Sequence, residues 1–319
     1  MLADIAQSGC SMRVTEIETF RAILQAGSAR KAASLLGLSQ AGVSKAIRRL
    51  EAEAGFPLFL RLRGRLQPTP EAMALAPDVD RMYVGLSAIA HRIKALREFG
   101  VGALQIASNP AFGSGLIPRA LARMARSKNE DQRPNVSLQI LSSRDVRERV
   151  AAGEFDVGFF ADEVVTDGLE CTVFAEQPGV VVMPQNHALA RHTLIQPHHL
   201  AEVPFLAMNP EDSSRRRLEE KLKEHGVQLN IAVHTPYALN VCELALAGLG
   251  VGIVNPITAL DYSTRGLTFR KLSFDATVIC IQAVPAGRLL SGTAKEFLVA
   301  LRTQLAEEEQ LLQTKLKEK

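Results

Sequence analysis

The sequence predicts an N-terminal all-α winged helix-turn-helix with a linker helix, followed by a C-terminal α/β region of two Rossmann-like subdomains. Three observations predict this fold class. Short helical segments rich in alanine and basic residues lie between residues 15 and 54, a long amphipathic segment begins at residue 70, and strand and helix patterns alternate from residue 103 onward. Tightly spaced short helices are typical of helix-turn-helix units, and strand–helix alternation is typical of open sheets with helices on both faces.

Composition and charge set limits on the partners. Residues 13–66 carry ten basic and four acidic residues, a net charge of +6, so the rest of this +3 chain carries −3. A basic N-terminal segment favours an anionic partner there, with nucleic acid first. No apolar run reaches the roughly 18 residues of a membrane helix, and the N-terminus lacks a secretory-signal pattern. The four cysteines form no CxxC pair, so we expect a cytoplasmic protein with no membrane partner.

Three short helices are predicted between residues 15 and 54. The first has its apolar residues on one face and ends at Gly27. Ser28 is expected to cap the second helix and Ser39 the third. The connection of Gly37, Leu38 and Ser39 is as tight as a helix-turn-helix requires.

The third helix has two contrasting faces. Val43, Ile47 and Leu50 are spaced to pack on the first two helices. The opposite face carries small, amide, hydroxyl and cationic side chains, which can enter the major groove and meet base edges and phosphates. Taken alone, this pattern also fits a solvated basic helix face.

The segment after the third helix adds a second basic face. Between residues 56 and 69, arginines alternate with leucines, and Gly64 is the expected turn. A period of two places the arginines on one side of a β-ribbon, where such a wing would contact the phosphate backbone or the minor groove. The two faces together favour duplex DNA as the partner. The predicted DNA-binding residues are Arg30, Ser39, Gln40, Ala41, Ser44, Lys45, Arg48, Arg61, Arg63 and Arg65.

A long helix is predicted from Pro70 to about Phe99, with Thr69 as its cap. Its apolar residues are spaced 3, 4, 3, 4 and 3, a heptad seam that favours pairing with a second copy of the chain. The alternative is an amphipathic helix that lies on its own chain. Pro77 predicts a kink or a restart of the helix near residues 74–77. The predicted dimerisation residues are Val79, Met82, Leu86, Ile89, Ile93 and Leu96.

The remaining two thirds alternate between strand and helix patterns, which predicts open sheets of mainly parallel strands. Subdomain I is placed at residues 102–180 and 280–305 and subdomain II at 181–279, with the strands at 179–183 and 278–284 as the two crossings. Residues 306–319 are expected to form a solvated helical extension that frays. The predicted strands are 103–108, 136–141, 155–160, 179–183, 204–208, 230–235, 251–254 and 278–284.

The stretch "KAASLLGLSQAGVSKAIRRLEAEAGFPLFLR" closely resembles the winged helix-turn-helix of LysR-type transcriptional regulators. The resemblance implies a DNA-binding domain at 13–69, a linker and dimerisation helix at 70–99, and an effector-binding domain at 102–305. It also implies a sensor similar to type 2 periplasmic binding proteins, and a dimer of dimers, or homotetramer, on a two-fold promoter site. The positions that match the family pattern are Ala32, Ala33, Leu36, Ser39, Gln40, Ser44, Ile47, Leu50, Glu51, Gly55, Leu58, Phe59, Arg61 and Thr69.

Two further stretches of the sequence resemble one subgroup of the family. "LREFGVGALQIA" and "AGLGVGIVNPITALDY" look most like the lysine-biosynthesis activator and the opine-catabolism regulators of the family. This implies a basic amino acid or an opine as the effector, and an unrelated organic acid is the alternative. An ammonium or guanidinium group would need an anionic partner. The sequence offers four carboxylates without ranking them: Asp162, Glu163, Asp212 and Glu243.

The position of the effector follows from the sheets. Ligands of open α/β sheets bind beyond the carboxyl ends of the strands, and hydroxyl and amide residues occupy those positions here. With Thr235 as its cap, the helix from Tyr237 would present free N–H groups to a carboxylate. Each residue singly also fits an ordinary cap or turn. The predicted effector-binding residues are Ser108, Asn109, Pro110, Ser142, Ser143, Asn209, Thr235 and Asn255.

Other functions lack their sequence signatures. "GLGVGIVNP" precedes a strand and lacks the GxGxxG spacing of a nucleotide site. The four histidines between 187 and 199 fit no zinc motif, and no catalytic triad pattern occurs. We therefore expect no enzyme activity, no metal and no cofactor. The alternatives are a solute-binding protein, which would need a signal peptide and no basic domain, and an enzyme on a similar two-lobed fold.

Overall fold

The computed structural model describes residues 12–62, 65–127, 129–130 and 133–317. The chain divides into two compact units, residues 1–87 and 88–319. The division falls inside the long helix that the sequence predicts at 70–99. Within the described ranges, none of the helices is both long enough and apolar enough to cross a bilayer.

Three helices form the body of the N-terminal unit: α1 (Val14–Ala26), α2 (Ala29–Leu36) and α3 (Gln40–Ala54). As expected, Ser28 and Ser39 cap α2 and α3, since their hydroxyls accept hydrogen bonds from the backbone N–H groups of Lys31 and Gly42. The stripe of Val43, Ile47 and Leu50 lies in one buried cluster with apolar side chains of α1 and α2. Burying that stripe turns the opposite face of α3 outward.

The wing is an antiparallel pair of β1 (Phe59–Leu62) and β2 (Arg65–Pro68). The side chain of Glu51, near the end of α3, holds its first strand in place. Its Oε1 atom accepts hydrogen bonds from the backbone N–H groups of Leu58, at 2.8 Å, and Phe59, at 3.1 Å. One carboxylate therefore fixes the wing to α3.

We expect Glu51→Ala to lower the free energy of unfolding of the N-terminal unit by roughly 2–3 kcal/mol, because buried N–H groups would lose their acceptor. Leu58 is fully buried, so water cannot replace the carboxylate at its N–H group. Urea unfolding followed by circular dichroism measures the loss. Glu51→Gln keeps an acceptor oxygen and should lose less than half as much; equal stability of Glu51→Ala and the unmodified chain would contradict the prediction.

The long helix, α4 (Pro70–Phe99), is continuous through Pro77, so the predicted restart is not observed. Pro77 removes the N–H partner of the Met73 carbonyl, but both residues are exposed and solvent can satisfy that oxygen. Thr69 caps the helix as predicted, accepting a hydrogen bond from the backbone of Ala72 at 3.2 Å. Near the start of α4, the Val79 side chain packs against the N-terminal core. This part of the helix agrees with the alternative that α4 lies on its own chain.

The C-terminal unit contains two lobes, each with one sheet. The sheet of lobe I has the strand order β4-β3-β5-β13-β6, and the sheet of lobe II has the order β10-β9-β11-β7-β12-β8. The strands of lobe I are β3 (Leu104–Ser108), β4 (Val136–Ile140), β5 (Val157–Ala161), β6 (Leu169–Pro178) and β13 (Thr277–Pro285). The strands of lobe II are β7 (Val180–Pro184), β8 (Leu194–Ile195), β9 (Pro204–Met208), β10 (Asn230–Thr235), β11 (Val251–Val254) and β12 (Leu267–Leu272).

Helices cover both faces of each sheet. In lobe I, the neighbouring residues Phe159 and Phe160 point to opposite faces and belong to different buried clusters. The helices of lobe I are α5 (Pro110–Gly113), α6 (Leu116–Arg126), α7 (Ser143–Ala151) and α12 (Gly292–Lys317). The helices of lobe II are α8 (Pro197–Ala201), α9 (Ser213–Glu224), α10 (Ala238–Leu246) and α11 (Pro256–Tyr262).

The sheets are mainly parallel, as predicted, but each contains one strand that runs against the others. β13 runs antiparallel to both β5 and β6, and β7 runs antiparallel to both β11 and β12. These are the strands that follow a change of lobe, so they enter their sheets from the opposite end. The sequence analysis also missed β6, β8 and β12, because charged residues interrupt β6 and β12 and β8 has only two residues.

The two crossings lie just before the strands that were expected to form them. The chain passes from β6 to β7 at Gly179 and from β12 to β13 at residues 273–276. The N–H group of Gly179 donates to the Ala276 carbonyl oxygen at 2.8 Å, which joins the crossings side by side. A Cβ atom on Gly179 would lie only 2.9 Å from that oxygen, so glycine allows this approach.

The C-terminal extension is part of the body of the unit. α12 is one continuous helix through Lys317, and Leu312 is buried in a core cluster of lobe II. Glu308 is also buried and accepts two hydrogen bonds from Arg119 on α6, at 2.6 and 2.8 Å. The expectation of a solvated, fraying extension at 306–319 is therefore wrong for residues 306–317, and residues 318–319 lie outside the described ranges.

Candidate functional site

The outward face of α3 is basic and open. Gln40, Ala41, Lys45 and Arg48 are exposed and Ser44 is half-exposed. They line one shallow concave surface. Within residues 12–62 and the other described ranges, neither Lys45 nor Arg48 has an ion-pair partner. Both cations are therefore free to meet an external anion.

The other predicted DNA-binding residues differ in exposure and in hydrogen bonding. Arg30 on α2 and Arg61 on β1 are exposed, while the Ser39 hydroxyl is occupied as the cap of α3. Arg63 lies outside the described residues, and the side chain of Arg65 is not described. Arg49 was missed, although it lines the same concave surface as Arg48. Its place next to Arg48 in a run of two arginines was the available signal.

An apolar stripe on α4 is exposed. We call it the seam; Ile89 is 59% exposed and Ile93 is 55% exposed. The residues follow one another at intervals of 3, 4 and 3, so they share one side of the helix. Of the predicted dimerisation residues, Val79 and Met82 are instead half-buried in the single chain. The seam consists of Leu86, Ile89, Ile93 and Leu96.

A cavity of about 860 Å³ lies between lobes I and II, beyond the carboxyl ends of strands such as β3 and β9. Its size is in the range of small-molecule sites. Two of the predicted lining residues also cap helices: the Ser142 hydroxyl accepts a hydrogen bond from the backbone of α7, and the Asn255 side chain does so for α11. The predicted residues that line the cavity are Asn109, Pro110, Ser142, Ser143, Asn209 and Asn255.

Two predicted effector residues do not line the cavity. Ser108 is fully buried, and its hydroxyl donates to the Asn109 carbonyl oxygen at 2.9 Å. Thr235 is also buried; it is the last residue of β10, and its hydroxyl accepts a hydrogen bond from Asn240. Both are the final residues of strands, so their side chains point into the lobe while the residue that follows reaches the cavity.

The N-terminus of α10 reaches the cavity one residue later than predicted. The helix begins at Ala238, and its N-cap is Tyr237, not Thr235. The Tyr237 side chain makes no capping hydrogen bond, so the N-cap does not occupy the first N–H groups of α10. Pro236, Tyr237 and Ala238 all line the cavity, where these N–H groups suit an anionic group.

A second set of contacts joins the lobes beside the cavity. Asp162, just after β5, pairs with Arg217 of α9 at 2.7 Å and accepts a hydrogen bond from the Ser213 hydroxyl. Partial burial alone would raise the pKa of Asp162, but the hydrogen bonds from Arg217 and Ser213 outweigh it and lower the pKa below its ordinary value. Asp162 therefore stays ionised and occupied by partners from the protein.

Asp212 and Glu243, also named from the sequence, have different places in the structure. Asp212 lines the cavity but caps α9, accepting a hydrogen bond from the backbone of Arg215 at 3.0 Å. Glu243 does not line the cavity; it pairs with Arg265 at 2.8 Å and accepts a hydrogen bond from the Tyr262 hydroxyl. Glu243 is thus removed from the candidates for effector contact.

Glu163 is the carboxylate in the cavity with an unused buried atom. Its Oε2 atom is buried and accepts no hydrogen bond from the described residues, and the same holds for Oδ1 of Asn109. Burial raises the pKa of Glu163, and the nearby carboxylates of Asp212 and Asp162 add to the increase, while its own backbone N–H and the Ser143 hydroxyl offset part of it.

The histidines between 187 and 199 have structural contacts. His187 and His199 each accept a hydrogen bond from a nearby backbone N–H group through Nδ1. In the part of the chain that the structure describes, no three His, Cys, Asp or Glu side chains are placed to hold a metal ion.

Both the N-terminal and the C-terminal part of the chain resemble known proteins. Residues 5–73 match the lysR family of bacterial regulatory helix-turn-helix proteins, and residues 98–306 match the LysR substrate binding domain. The chain is 35% identical to the transcriptional activator protein LysR of Escherichia coli over 266 residues, 82% of this chain and 84% of that protein. It is 29% identical to the octopine catabolism/uptake operon regulatory protein OccR of Rhizobium meliloti, over 79% of this chain and 82% of OccR.

The fold is also similar to that of a solved structure. HinK of Pseudomonas aeruginosa, a LysR family transcriptional regulator, superposes with a TM-score of 0.56 at 18% sequence identity. The match covers 92% of this chain and 99% of HinK. At this identity the likeness concerns the fold.

Proposed function

We propose that this chain, which belongs to the LysR family of bacterial helix-turn-helix regulators, binds a two-fold promoter site as a dimer of dimers and responds to a small effector in its interlobe cavity. The coarser statement follows from the family: the chain is a DNA-binding transcriptional regulator with an effector-binding domain. The observation that carries the DNA-binding part of this proposal is the exposed basic face of α3, where Lys45 and Arg48 have no ion-pair partner among the described residues.

In this proposal α3 enters the major groove and the wing contacts the backbone. Ala41 lets the helix approach closely, while Gln40, Ser44 and Arg48 reach base edges. Lys45 and Arg61 contact phosphates, which set affinity and its salt dependence. The further contacts proposed are Arg30, Ser39, Arg63 and Arg65.

Pairing through the seam supplies the two-fold symmetry. Two copies of α4 that bury Ile89 and Ile93 against each other would present two α3 helices to half-sites about one DNA turn, roughly 34–36 Å, apart. Burial of the seam removes exposed apolar surface that a monomer would leave in water. A second pairing of dimers would produce the homotetramer.

The proposed effector is a basic amino acid or an opine, with an unrelated organic acid as the alternative. The relative OccR is named for octopine catabolism and uptake, and the cavity offers both carboxylates and the free N-terminus of α10. The effector changes DNA binding if it binds one arrangement of the protein more tightly than another. A regulator of this kind acts in the cytoplasm and carries out no catalysis.

A gel-shift titration tests DNA binding. The full chain is mixed at low salt with the duplex upstream of its own gene and with a scrambled duplex of the same composition. We expect tighter binding to the upstream duplex; no binding to either duplex at low salt would overturn the proposal. Repeating the titration with amino acids, opines and aromatic acids shows which class of effector changes the binding.

A further inference from the structure

The charges around the cavity favour a cationic group on its ligand. Five carboxylates and two guanidinium groups line it. One of the two guanidinium groups, that of Arg147, already donates to the backbone carbonyls of Val165 and Asp167. The carboxylates are Glu148, Asp162, Glu163, Glu211 and Asp212, and the guanidinium groups belong to Arg144 and Arg147.

Hydrogen bonding distinguishes Glu163 from the other carboxylates. Asp162 is held by Arg217 and Ser213, and Asp212 is occupied as a helix cap. Glu211 accepts from the Asn209 amide at 3.1 Å, and Glu148 is exposed, so water can reach it. Oε2 of Glu163 is buried and accepts no hydrogen bond from the described residues, and a buried acceptor without a donor is unfavourable, more so when charged.

Asn109 places a second such acceptor at the end of the neighbouring strand. β3 and β5 pair in parallel, and the N–H group of Asn109 donates to the Phe159 carbonyl oxygen at 2.8 Å. Asn109 follows β3 directly, and Glu163 follows β5 by two residues, so both belong to the same edge of lobe I. Oδ1 of Asn109 and Oε2 of Glu163 both need hydrogen-bond donors.

We infer that Glu163 and Asn109 form the part of the cavity that accepts hydrogen bonds from a cationic group of the effector, an ammonium or a guanidinium. This inference rests on the proposed function, because it concerns the ligand of the same cavity. A cation with several N–H donors would satisfy both oxygens at once and neutralise Glu163 beside Asp212 and Asp162. Glu163 is then the residue that selects cationic effectors over neutral or anionic ones.

The test compares Glu163→Gln with the unmodified full chain in calorimetric titrations. The cationic probes are L-lysine, L-ornithine, L-arginine and octopine at millimolar concentrations, and the probes without a cation are hexanoate and adipate. We expect at least one cationic probe to bind, neither acid to bind, and Glu163→Gln to weaken cation binding at least tenfold. Glu176→Gln removes the same charge from an exposed site on β6 outside the cavity and should bind as the unmodified chain does.

Two further readouts separate ligand recognition from a structural role. The raised pKa of Glu163 means that its ionised form disfavours the folded empty protein, so Glu163→Gln should raise the melting temperature of the empty protein at neutral pH. A structural carboxylate would show the opposite change. Cation affinity should also fall as the pH is lowered through the raised pKa of Glu163, and this fall should be absent in Glu163→Gln. The other charged groups on the elements around Glu163 are Asp162, Asp212, Arg144, Arg147 and Arg217.

The outcomes distinguish the inference from the proposed function. Cation binding that survives in Glu163→Gln, binding of the acids alone, or binding of no cationic probe would each overturn the inference. None of these results affects the gel shift on the upstream duplex. Loss of that gel shift in the unmodified chain would overturn the proposed function instead.

Discussion

A chain that carries both Ser44→Ala and Arg48→Ala is expected to bind its upstream duplex no better than a scrambled one. Both side chains lie on the outward face of α3, and Arg48 has no ion-pair partner among the described residues. A bidentate contact of arginine with guanine contributes about 1–3 kcal/mol of discrimination, or roughly 5- to 150-fold, and the lost hydroxyl adds to it. Non-specific affinity should fall much less, because Lys45 and the wing still meet the phosphates.

Fluorescence anisotropy titrations with the two duplexes at several salt concentrations measure this effect. Arg81→Ala is the matched control, since Arg81 is an exposed arginine on α4 that pairs with Asp78 three residues earlier. Melting temperatures of both variants should stay near that of the unmodified chain, because the changed side chains are not in the core. Retained preference for the upstream duplex in the double variant would show that other residues read the sequence.

The double substitution Ile89→Asp and Ile93→Asp is expected to convert the protein to monomers. Both side chains are more than half exposed in the single chain, so aspartate costs the monomer little. In a dimer, four carboxylates would be buried in an apolar seam without partners, which disfavours association strongly. Loss of the second half-site should lower affinity for the promoter by about 100-fold or more, since binding through two linked modules multiplies affinity by 10²–10⁴.

Sedimentation velocity measures the association state, and anisotropy titrations measure the promoter affinity. Val84→Asp is the control, because Val84 is an exposed apolar residue on the same helix but about 160° around it from the seam. That variant should remain dimeric. A dimer that persists in the double variant would mean that a different surface pairs the chains, and that the seam packs elsewhere.

The predicted fold class and family are confirmed. In the N-terminal unit, helix caps and apolar spacing were enough to predict the three helices. Gly27, Gly37 and Gly55 each end a helix with a positive φ, and Ser28 and Ser39 each begin one. Helix ends and apolar periodicity depend on residues within a few positions of each other, so they can be read from the sequence. The outward direction of Lys45 and Arg48 follows from the buried stripe of α3, while their contacts with DNA stay predictions.

The sequence predicted where the cavity lies but not which side chains line it or which of its carboxylates have partners. The strand ends predicted its position, yet Ser108 and Thr235 point into the lobes because side chains alternate along a strand and the last residue falls on the buried face. The four carboxylates could not be ranked, since the partners of Asp162 come from 51 and 55 positions away. The role of Glu243 was likewise decided by Arg265, 22 positions away on another element.

By itself, the sequence determined the three N-terminal helices, the caps Ser28 and Ser39, the basic face of α3 and the strand–helix alternation of the two lobes, because each depends on the order and spacing of nearby residues. Only the tertiary structure decided the direction of β7 and β13, the burial of α12 and the state of each carboxylate in the cavity. Those properties depend on which distant segments meet. Oε2 of Glu163 accepts no hydrogen bond from the described residues, and that could be seen only once the lobes were in place.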